Sequence, residues 1–414
     1  MPDGTWRSEP TVFRGQWGLS QDDAGRLFYN SNSDWLRGDF IPSHYLARNP
    51  ALRPATGADM QLIADQRVWP GRVNPGVNRG YQPGTLSTNG RLAKCTAACG
   101  PAVYRGTQFP PDYRGDVFAC EPSANLIRRF KINENDGVLS ARNAYEEAEF
   151  LTSTDERFRP VNLANGPDGG LYVVDIARGL IQHRIYLTSY LRKQLESREL
   201  IGPVSGGRIY RIVYGGNPAP RESLATRPTT EDLLGRLDDG NGFWRDRAQQ
   251  LLVERREAAS IEPLKAMIRS TRATARGRLQ ALWTLEGLGA VDLASLEVAL
   301  QDSDSAVRKA GLRLLEPFFA GEDREAAVPL LFRRMGWFQG AEQVQLLLTL
   351  GQLRSPQGDA AMRTILMSGP PARLRFDAAI SGLRSREVDF LDQLVNDPIC
   401  TTDKAEHAPL VSGL

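Results

Sequence analysis

In the first half of the chain, hydrophobic residues come in short alternating runs separated by turns rich in glycine, aspartate and proline. The clearest example is the segment 157–175, where two apolar runs flank a Gly-Pro-Asp-Gly-Gly turn at 166–170. An earlier segment, 17–29, repeats the order of apolar run, Asp/Gly turn and apolar run. Such turns favour β-hairpins, and hairpins that recur along a chain are typical of β-propeller blades.

The same pattern predicts further strands and one inserted helix. The additional strands are expected at 101–105, 117–120, 126–132 and 207–214. In the segment 186–199, leucines and a tyrosine recur at helical spacing with charged residues opposite them, which predicts an amphipathic helix packed outside the strands.

Beyond a proline-containing linker, the hydrophobic period changes to that of paired helices. An Arg or Gln followed by small or apolar residues and then Leu or Gly recurs at intervals of 33, 30, 35 and 32 residues. These positions are Arg245, Arg278, Arg308, Gln343 and Arg375. The spacing is typical of an α-solenoid of HEAT-like repeats.

Together these patterns predict a multidomain β + α protein. A partial β-propeller is expected over residues 1–216, a linker over 217–228, a HEAT-like α-solenoid over 229–397 and a tail over 398–414. At about 45 residues a blade, the first region has room for three to five blades.

The composition excludes several kinds of partner but does not indicate a function. The formal net charge is +2, with 51 basic and 49 acidic residues, so nucleic-acid binding is not expected. No apolar run has the roughly 20 residues of a membrane span, and the first residues carry no signal-peptide pattern. With no His-rich partner segment, the cysteines do not predict a zinc site. Cys99 and Cys120 fall on successive predicted strands, and either a disulfide or two free buried thiols fits them.

Two groups of residues are candidates for chemistry. His183 follows closely on Asp175, and a carboxylate-held histidine could act as a general base; a structural histidine bonded to a backbone carbonyl is the alternative. Arg14, Arg157 and Arg159 each precede a predicted innermost strand, so they are expected to face a central channel, where guanidinium groups suit a planar polycarboxylate. Ion pairs with carboxylates between blades are the alternative for these arginines.

Several motifs resemble one known family. The segments FRGQWGL at 13–19, AACGPAVYRG at 97–106, FACEP at 118–122 and FRPV at 158–161 carry the resemblance, together with the turn at 166–169 and the segments 181–184 and 207–211. The first half is similar to the second half of the soluble quinoprotein glucose/sorbosone dehydrogenase propeller. More closely, the chain resembles large planctomycete and verrucomicrobial proteins called membrane-bound dehydrogenases, which join such a propeller to HEAT repeats and a cytochrome c domain.

The resemblance implies a cofactor site, with departures. Pyrroloquinoline quinone would be held by Arg14, Arg157 and Arg159, but Gly15 replaces the family's asparagine and Ser123 stands near the family's lysine. Calcium would lie near Asn30, Asn32 and Asp34. The family's catalytic histidine lies in a propeller half that this chain lacks, and no Cys-x-x-Cys-His haem motif is present.

Two functions from different classes follow from this. The first is part of a periplasmic or cell-envelope sugar or alcohol dehydrogenase that passes electrons to a cytochrome c domain or protein. In that case the chain is expected to be a piece of a longer protein, without turnover of its own. The second is a non-catalytic propeller with the solenoid as a docking arm for a protein or polysaccharide partner.

Overall fold

Antiparallel sheets followed by a series of helices make up the protein. The computed structural model describes residues 12, 15–52, 56–216, 227–368 and 372–396. Arg14, most of the predicted linker and the predicted tail lie outside the described residues.

The first sheet has four strands, in the order β1-β2-β3-β4. They are β1 (Leu19–Gln21), β2 (Leu27–Ser31), β3 (Asp34–Asp39) and β4 (Met60–Gln61). The turn between β1 and β2 is built by Asp22, whose carboxylate accepts hydrogen bonds from the backbone N–H groups of Ala24 and Arg26, both at 2.9 Å. Gly25 follows at a φ of +78°, which favours glycine. The strand–turn–strand pattern predicted here is confirmed.

The second and third sheets are also antiparallel. The second has the order β5-β6-β7-β8, with β9 paired to β7, and the third has the order β10-β11-β12. The strands of the second are β5 (Cys99–Val103), β6 (Val117–Glu121), β7 (Leu126–Asn135), β8 (Val138–Asn143) and β9 (Leu151–Thr152). Those of the third are β10 (Pro160–Asn165), β11 (Leu171–Asp175) and β12 (Arg208–Ile212). The predicted hairpin at 160–175 is present, and Gly169 in its turn has a φ of +75°.

The three sheets lie side by side in chain order. Strand β5 contacts β1 and β2 on one side and β10 on the other. A Cβ on Gly100 would lie 2.5 Å from the backbone of Asn162 in β10, so only glycine allows this close approach. Buried aromatic side chains fill the two interfaces, with Trp35 against Phe130 in one and Phe118 in the other.

Two short helices interrupt the strands. Helix α1 (Ser43–Ala47) follows β3, and α2 (Ser189–Glu196) lies between β11 and β12. The predicted helix at 186–199 is longer than the observed α2. The Thr188 hydroxyl caps α2 by accepting a hydrogen bond from the N–H of Leu191 at 3.2 Å, and a 3₁₀ turn precedes it.

The helical series begins at Thr230, after the last strand has ended at Ile212. Its members are α3 (Thr230–Arg236), α4 (Gly242–Glu254), α5 (Ile261–Arg269), α6 (Ala275–Gly287), α7 (Leu293–Ala299), α8 (Ser305–Leu315), α9 (Arg324–Arg334), α10 (Ala341–Leu353), α11 (Pro356–Met367), α12 (Arg373–Ser381) and α13 (Glu387–Val395). Alternate members pack on one another, α4 on α6, α6 on α8, α8 on α10 and α10 on α12. Leucines and alanines fill the core between them.

The repeating arginines have a common role in this series. Arg245, Arg278 and Arg308 each lie in a helix of the α4–α6–α8–α10–α12 row and donate to a carbonyl five or six residues earlier, at 2.6–2.7 Å. Each therefore fastens the loop that leads into its own helix. Arg278 also forms a bidentate pair with Asp302, before α8, and Arg308 pairs with Glu342 in α10. The sequence repeat therefore marks a ladder of arginine contacts between successive helices of the row.

Sheets and helices meet at two places, which we name by their contents. At the charged junction, Asp23 in the β1–β2 turn accepts from Arg105 after β5 at 2.5 Å and from Arg245 in α4 at 2.6 Å, while Arg105 forms a bidentate pair with Asp246. Close by, the Trp244 indole donates to the carbonyl of Pro167 at 2.8 Å, so the turn of the third sheet also rests on α4.

At the α1 junction, the segment containing α1 packs on α10, on α12 and on the turn that follows α8. The Tyr45 hydroxyl donates to Glu316 at 2.7 Å. Arg48 donates to the carbonyls of Leu348 and Ser381 at 2.9 and 3.0 Å, and the amide of Asn49 donates to the carbonyl of Ile380 at 2.8 Å. Most of these contacts are hydrogen bonds to neutral acceptors.

Candidate functional site

The arginines expected at a central channel are occupied by backbone. Arg159 is 4% exposed, and its guanidinium donates to the carbonyls of Pro122, Arg178 and Gly179 at 2.6–3.0 Å. Burial lowers the pKa of Arg159 to about 10. Arg157 donates to the carbonyls of Glu199 and Gly202. Neither arginine makes an ion pair among the described residues. The donors of Arg159 that would bind a quinone carboxylate instead bind backbone carbonyls in this arrangement.

His183 and Asp175 do not meet among the described contacts. The His183 side chain is exposed and accepts a hydrogen bond from the N–H of Ile185 at 3.4 Å, at the start of the 3₁₀ turn. The Asp175 carboxylate is buried and accepts from the N–H groups of Arg159 and Ala177, both at 2.7 Å, and from Arg208 at 2.8 Å. Asp175 therefore orders the end of β11, and the geometry gives His183 no carboxylate partner.

The residues expected near calcium are partly free to bind. Asn30 is fully buried, and neither its amide oxygen nor its amide nitrogen has a partner; the same holds for Oδ1 of Asp34. The other oxygen of Asp34 pairs with Arg37 at 2.7 Å, and the amide oxygen of Asn32 accepts from the indole of Trp17. Two oxygens remain, against the six to eight that calcium takes. Within the described ranges, no group of three or more His, Cys, Asp or Glu side chains is arranged to hold a metal.

A different site is present beside the charged junction. A cleft of ≈ 280 Å³ opens where the first two sheets meet α6 and α8. Its walls come from the β1–β2 turn, the end of β5, the loop before β6 and the first turns of the two helices. The lining residues are Asp22, Asp23, Ala24, Arg26, Val103, Arg105, Arg114, Gly115, Ala275, Arg276, Leu279, Asp304 and Ala306. Four arginines face three aspartates there, so the lining has an excess of one positive charge.

One carboxylate in the cleft serves three arginines. Besides Arg105 and Arg245, Asp23 also contacts Nε of Arg276 at 3.2 Å. Burial by itself would raise the pKa of Asp23, but the charges of Arg105 and Arg245 outweigh it and hold that pKa below its usual range. The Arg276 side chain is 42% exposed and keeps most of its donors for solvent or a ligand.

Arg114 is the cleft's arginine without an acidic partner. Arg26 pairs with Asp22 at 2.7 Å and with Glu134, and Arg105 with Asp23 and Asp246. Arg114 makes no ion pair with any described residue; it has one long contact, 3.5 Å, to the carbonyl of Gly106. Its Nε is buried and has no hydrogen-bond partner. A buried, unpaired N–H of a cation is costly unless an acceptor reaches it.

The starts of α6 and α8 add to the positive potential. Ala275 is the first residue of α6, and Ala306 is the second residue of α8. Helix N-termini carry partial positive charge from aligned peptide dipoles. Asp304 caps α8 by accepting from the N–H groups of Ala306 and Val307, and Thr274 caps α6 by accepting from the N–H of Gly277 at 3.2 Å. The arrangement suits one compact anionic group.

Sequence reasoning did not identify this cleft. The Asp22-Asp23 pair was interpreted only as a turn, and Arg105 only as part of a motif. The adjacent aspartates are the one hint in the sequence. Asp22 alone provides the side-chain hydrogen bonds of the turn, so Asp23 is not needed for it. The two arginines that donate hydrogen bonds to Asp23 lie 82 and 222 residues away along the chain, which no local pattern can indicate.

The fold and cleft define a β-sheet protein with a helical extension and a charged site between the two. The chain belongs to the family described as Domain of unknown function (DUF7133), whose model matches residues 2–216. The helical series lies beyond that match. No curated protein matches the chain.

Among solved structures, the chain is similar to the complex of CpcE and CpcF of phycocyanin lyase from Nostoc sp. PCC7120. The identity is 21%, the match covers 42% of this chain and 72% of that chain, and the TM-score is 0.30. This likeness is too distant to bear on function. No helix of the described ranges has the length and apolar character needed to cross a membrane.

Proposed function

We propose that this chain is a non-catalytic binding protein that holds an anionic ligand in the cleft between its sheets and its helices. In this proposal the three sheets are blades of a partial β-propeller, and the helical series is a HEAT-like α-solenoid fixed to it at two junctions. The ligand then contacts both regions at once, and binding depends on how they are joined.

The observation that carries the proposal is the unpaired Arg114. Three of the four lining arginines are paired with aspartates, whereas Arg114 has a buried Nε and no acidic partner among the described residues. A carboxylate or phosphate oxygen would satisfy that N–H, and half-exposed Arg276 offers a second donor set. Bidentate guanidinium contacts bind both groups well.

Binding is favoured over catalysis because the described residues bring together no acid–base pair in the cleft. The charged side chains there are arginines and aspartates, most of them paired with one another, and the lining contains no histidine, cysteine or serine. Such a set can recognise charge and shape. The aspartates at its edge disfavour a ligand with many negative charges, so a single anionic group is expected.

The proposal is tested by calorimetric titration of the purified chain with inorganic phosphate and acetate, and with glucose as a neutral probe. We expect one of the anions to bind, glucose not to bind, and affinity to fall with ionic strength. Arg114→Gln should weaken binding by at least about tenfold, because a hydrogen bond to a charged group contributes about 1.5–3 kcal/mol. Arg114→Lys should restore part of the loss.

Two controls make the result specific. Arg142→Gln removes an exposed arginine of β8 that does not line the cleft and should leave affinity unchanged. Ala24→Trp adds bulk at the cleft wall and should block binding without removing a charge. Equal affinity in the wild type, Arg114→Gln and Ala24→Trp would contradict the proposal, as would binding of neither anion.

A second candidate function is the quinoprotein-like dehydrogenase of the resemblance, with this chain as one part. It is supported by one observation, that the amide of buried Asn30 and the Oδ1 atom of Asp34 both lack a hydrogen-bond partner. Calcium should then raise the melting temperature of the wild type and of Asn32→Ala, but not of Asn30→Ala. No response to calcium in the wild type would count against this candidate. Reduction of a dye with aldoses and added quinone is expected to be absent for this chain alone.

A further inference from the structure

Two cysteines occupy directly opposed positions in the second sheet. The register of β5 and β6 pairs Cys99 with Cys120. Opposed residues of an antiparallel pair have Cα atoms about 4.5–5.5 Å apart, which lies within the range of about 4.4–6.8 Å found for disulfides. The backbone thus already has the separation that a disulfide needs.

The surroundings favour a cross-link over other uses of the thiols. Cys99 is 8% exposed and Cys120 is fully buried, among Phe118, Ile127 and Leu171. Burial raises the pKa of both thiols, and the nearby Cys99 raises the pKa of Cys120 further. A buried thiol with a raised pKa is a poor nucleophile and a poor metal ligand, and the described residues offer it no metal-binding group.

The position also gives a cross-link structural value. Cys99 precedes Gly100, whose N–H donates to the carbonyl of Trp17 beside β1 and whose Cα approaches β10. The Cys99 Sγ lies 3.9 Å from the carbonyl of Pro160, at the start of β10. A bond here would fix β5 to β6 at the point where all three sheets meet.

We propose that Cys99 and Cys120 form a disulfide while the sheet assembles, by exchange with an oxidised thiol carrier such as glutathione disulfide. The thiolate of one cysteine attacks a sulfur of the carrier and releases one glutathione. The second thiolate then attacks the mixed disulfide and releases the other. Two electrons and two protons pass from the cysteine pair to the two glutathione molecules, and one S–S bond replaces another.

Exchange has to precede final packing, because in the folded sheet neither sulfur is open to a carrier. The completed bond closes a loop of about 20 residues and stabilises chiefly by restricting the unfolded chain. Cys95 is an internal comparison. It is equally buried, but its Sγ lies 3.6 Å from the carbonyl of Asn32 and faces no opposed cysteine.

The test is to refold the full chain in a glutathione redox buffer, block free thiols by alkylation and map the peptides by mass spectrometry. We expect one disulfide, between Cys99 and Cys120, with Cys95 and Cys400 alkylated. Reduction of the oxidised protein should lower its melting temperature by roughly 5–10 °C.

Variants separate this proposal from a general effect of reducing agent. Cys95→Ser should keep the disulfide and the melting-temperature difference. The double variant Cys99→Ser, Cys120→Ser should fold to the reduced protein's melting temperature and lose all response to reductant. Full alkylation of Cys99 and Cys120 after oxidative refolding, or a disulfide that joins either of them to another cysteine, would overturn the proposal.

Discussion

The two junctions between sheets and helices are built on opposite principles. At the charged junction, one carboxylate, Asp23, neutralises guanidinium groups from the second sheet and from α4, and a cleft opens beside it. At the α1 junction, Arg48 and Asn49 donate chiefly to backbone carbonyls of the helices. The hydroxyls of Tyr45 and Thr349 donate to the carboxyl group of Glu316.

This difference suggests that the α1 junction attaches the helices to the sheets, whereas the charged junction also forms a ligand site. The hydrogen bonds of the α1 junction are completed within the chain, so that junction holds the regions together and offers little to a ligand. The cleft beside the charged junction is lined by four arginines and three aspartates, and Arg114 among them has no acidic partner in the described residues. A ligand with a negative charge would supply the acceptor that Arg114 lacks.

The largest effect should come from removing the shared carboxylate. Asp23→Ala leaves Arg245, whose side chain is 1% exposed, and Arg105, at 10%, without their common partner. Loss of one member of a buried ion pair is strongly destabilising, and we expect a loss of about 3 kcal/mol in the free energy of unfolding. Urea titration followed by circular dichroism measures it.

The control for this variant is Asp65→Ala, which removes the partner of exposed Arg67. An exposed pair contributes at most about 1 kcal/mol, so this variant should unfold almost like the wild type. If Asp23→Ala and Asp65→Ala lowered the free energy of unfolding by the same amount, the charged junction would not contribute specifically to joining the sheets and the helices.

A smaller loss is expected at the α1 junction. Arg48→Met keeps much of the side-chain volume but leaves the carbonyls of Leu348 and Ser381 without their donor, which should cost about 2 kcal/mol. Because these acceptors are neutral, the loss should change little with salt, whereas that of Asp23→Ala should shrink as salt screens the partly exposed ion pairs. Urea titrations at low and high salt compare the two.

The sequence predicted the local structure of both regions well. The turn at 166–170 and the helical periodicity after residue 229 depend on neighbours in the chain, which a local pattern records. The recurring arginines were located at the right positions, and the structure adds why they recur: Arg245, Arg278 and Arg308 each fasten the loop before their own helix.

The candidate sites were harder to predict because they depend on remote contacts. From the sequence, an arginine before an inner strand, such as Arg159, is equally compatible with facing a channel and with binding backbone carbonyls. Only the path of the chain around Pro122 and Arg178 distinguishes these two environments. The pairing of Arg105 with Asp246 joins residues 141 positions apart. Likewise, the nearness of His183 to Asp175 in sequence did not place them in contact.

The smallest expected effect, and the sharpest comparison, is the pH dependence of the two junctions. Arginine charges hold the pKa of Asp23 below its ordinary value of 3.8, so its stabilisation is present above that pH and is lost as pH falls through the lowered pKa. Burial raises the pKa of Glu316 above 4.5, against hydrogen bonds from Thr349 and Tyr45 that lower it. The folded state therefore retains a proton that the unfolded state releases, and stability falls as pH rises from 4.5 towards the raised pKa.

Unfolding free energies between pH 3 and pH 7 should therefore change in opposite directions in two variants. Asp23→Asn should flatten the acid limb below about pH 4, where the wild type loses stability. Glu316→Gln should remove the decline above pH 4.5 while its amide oxygen still accepts from Tyr45 and Thr349, so its stability near neutral pH should equal or exceed that of the wild type. A Glu316→Gln variant that is less stable at neutral pH would show that the carboxylate is needed in its charged form, and the two junctions would then be electrostatically alike.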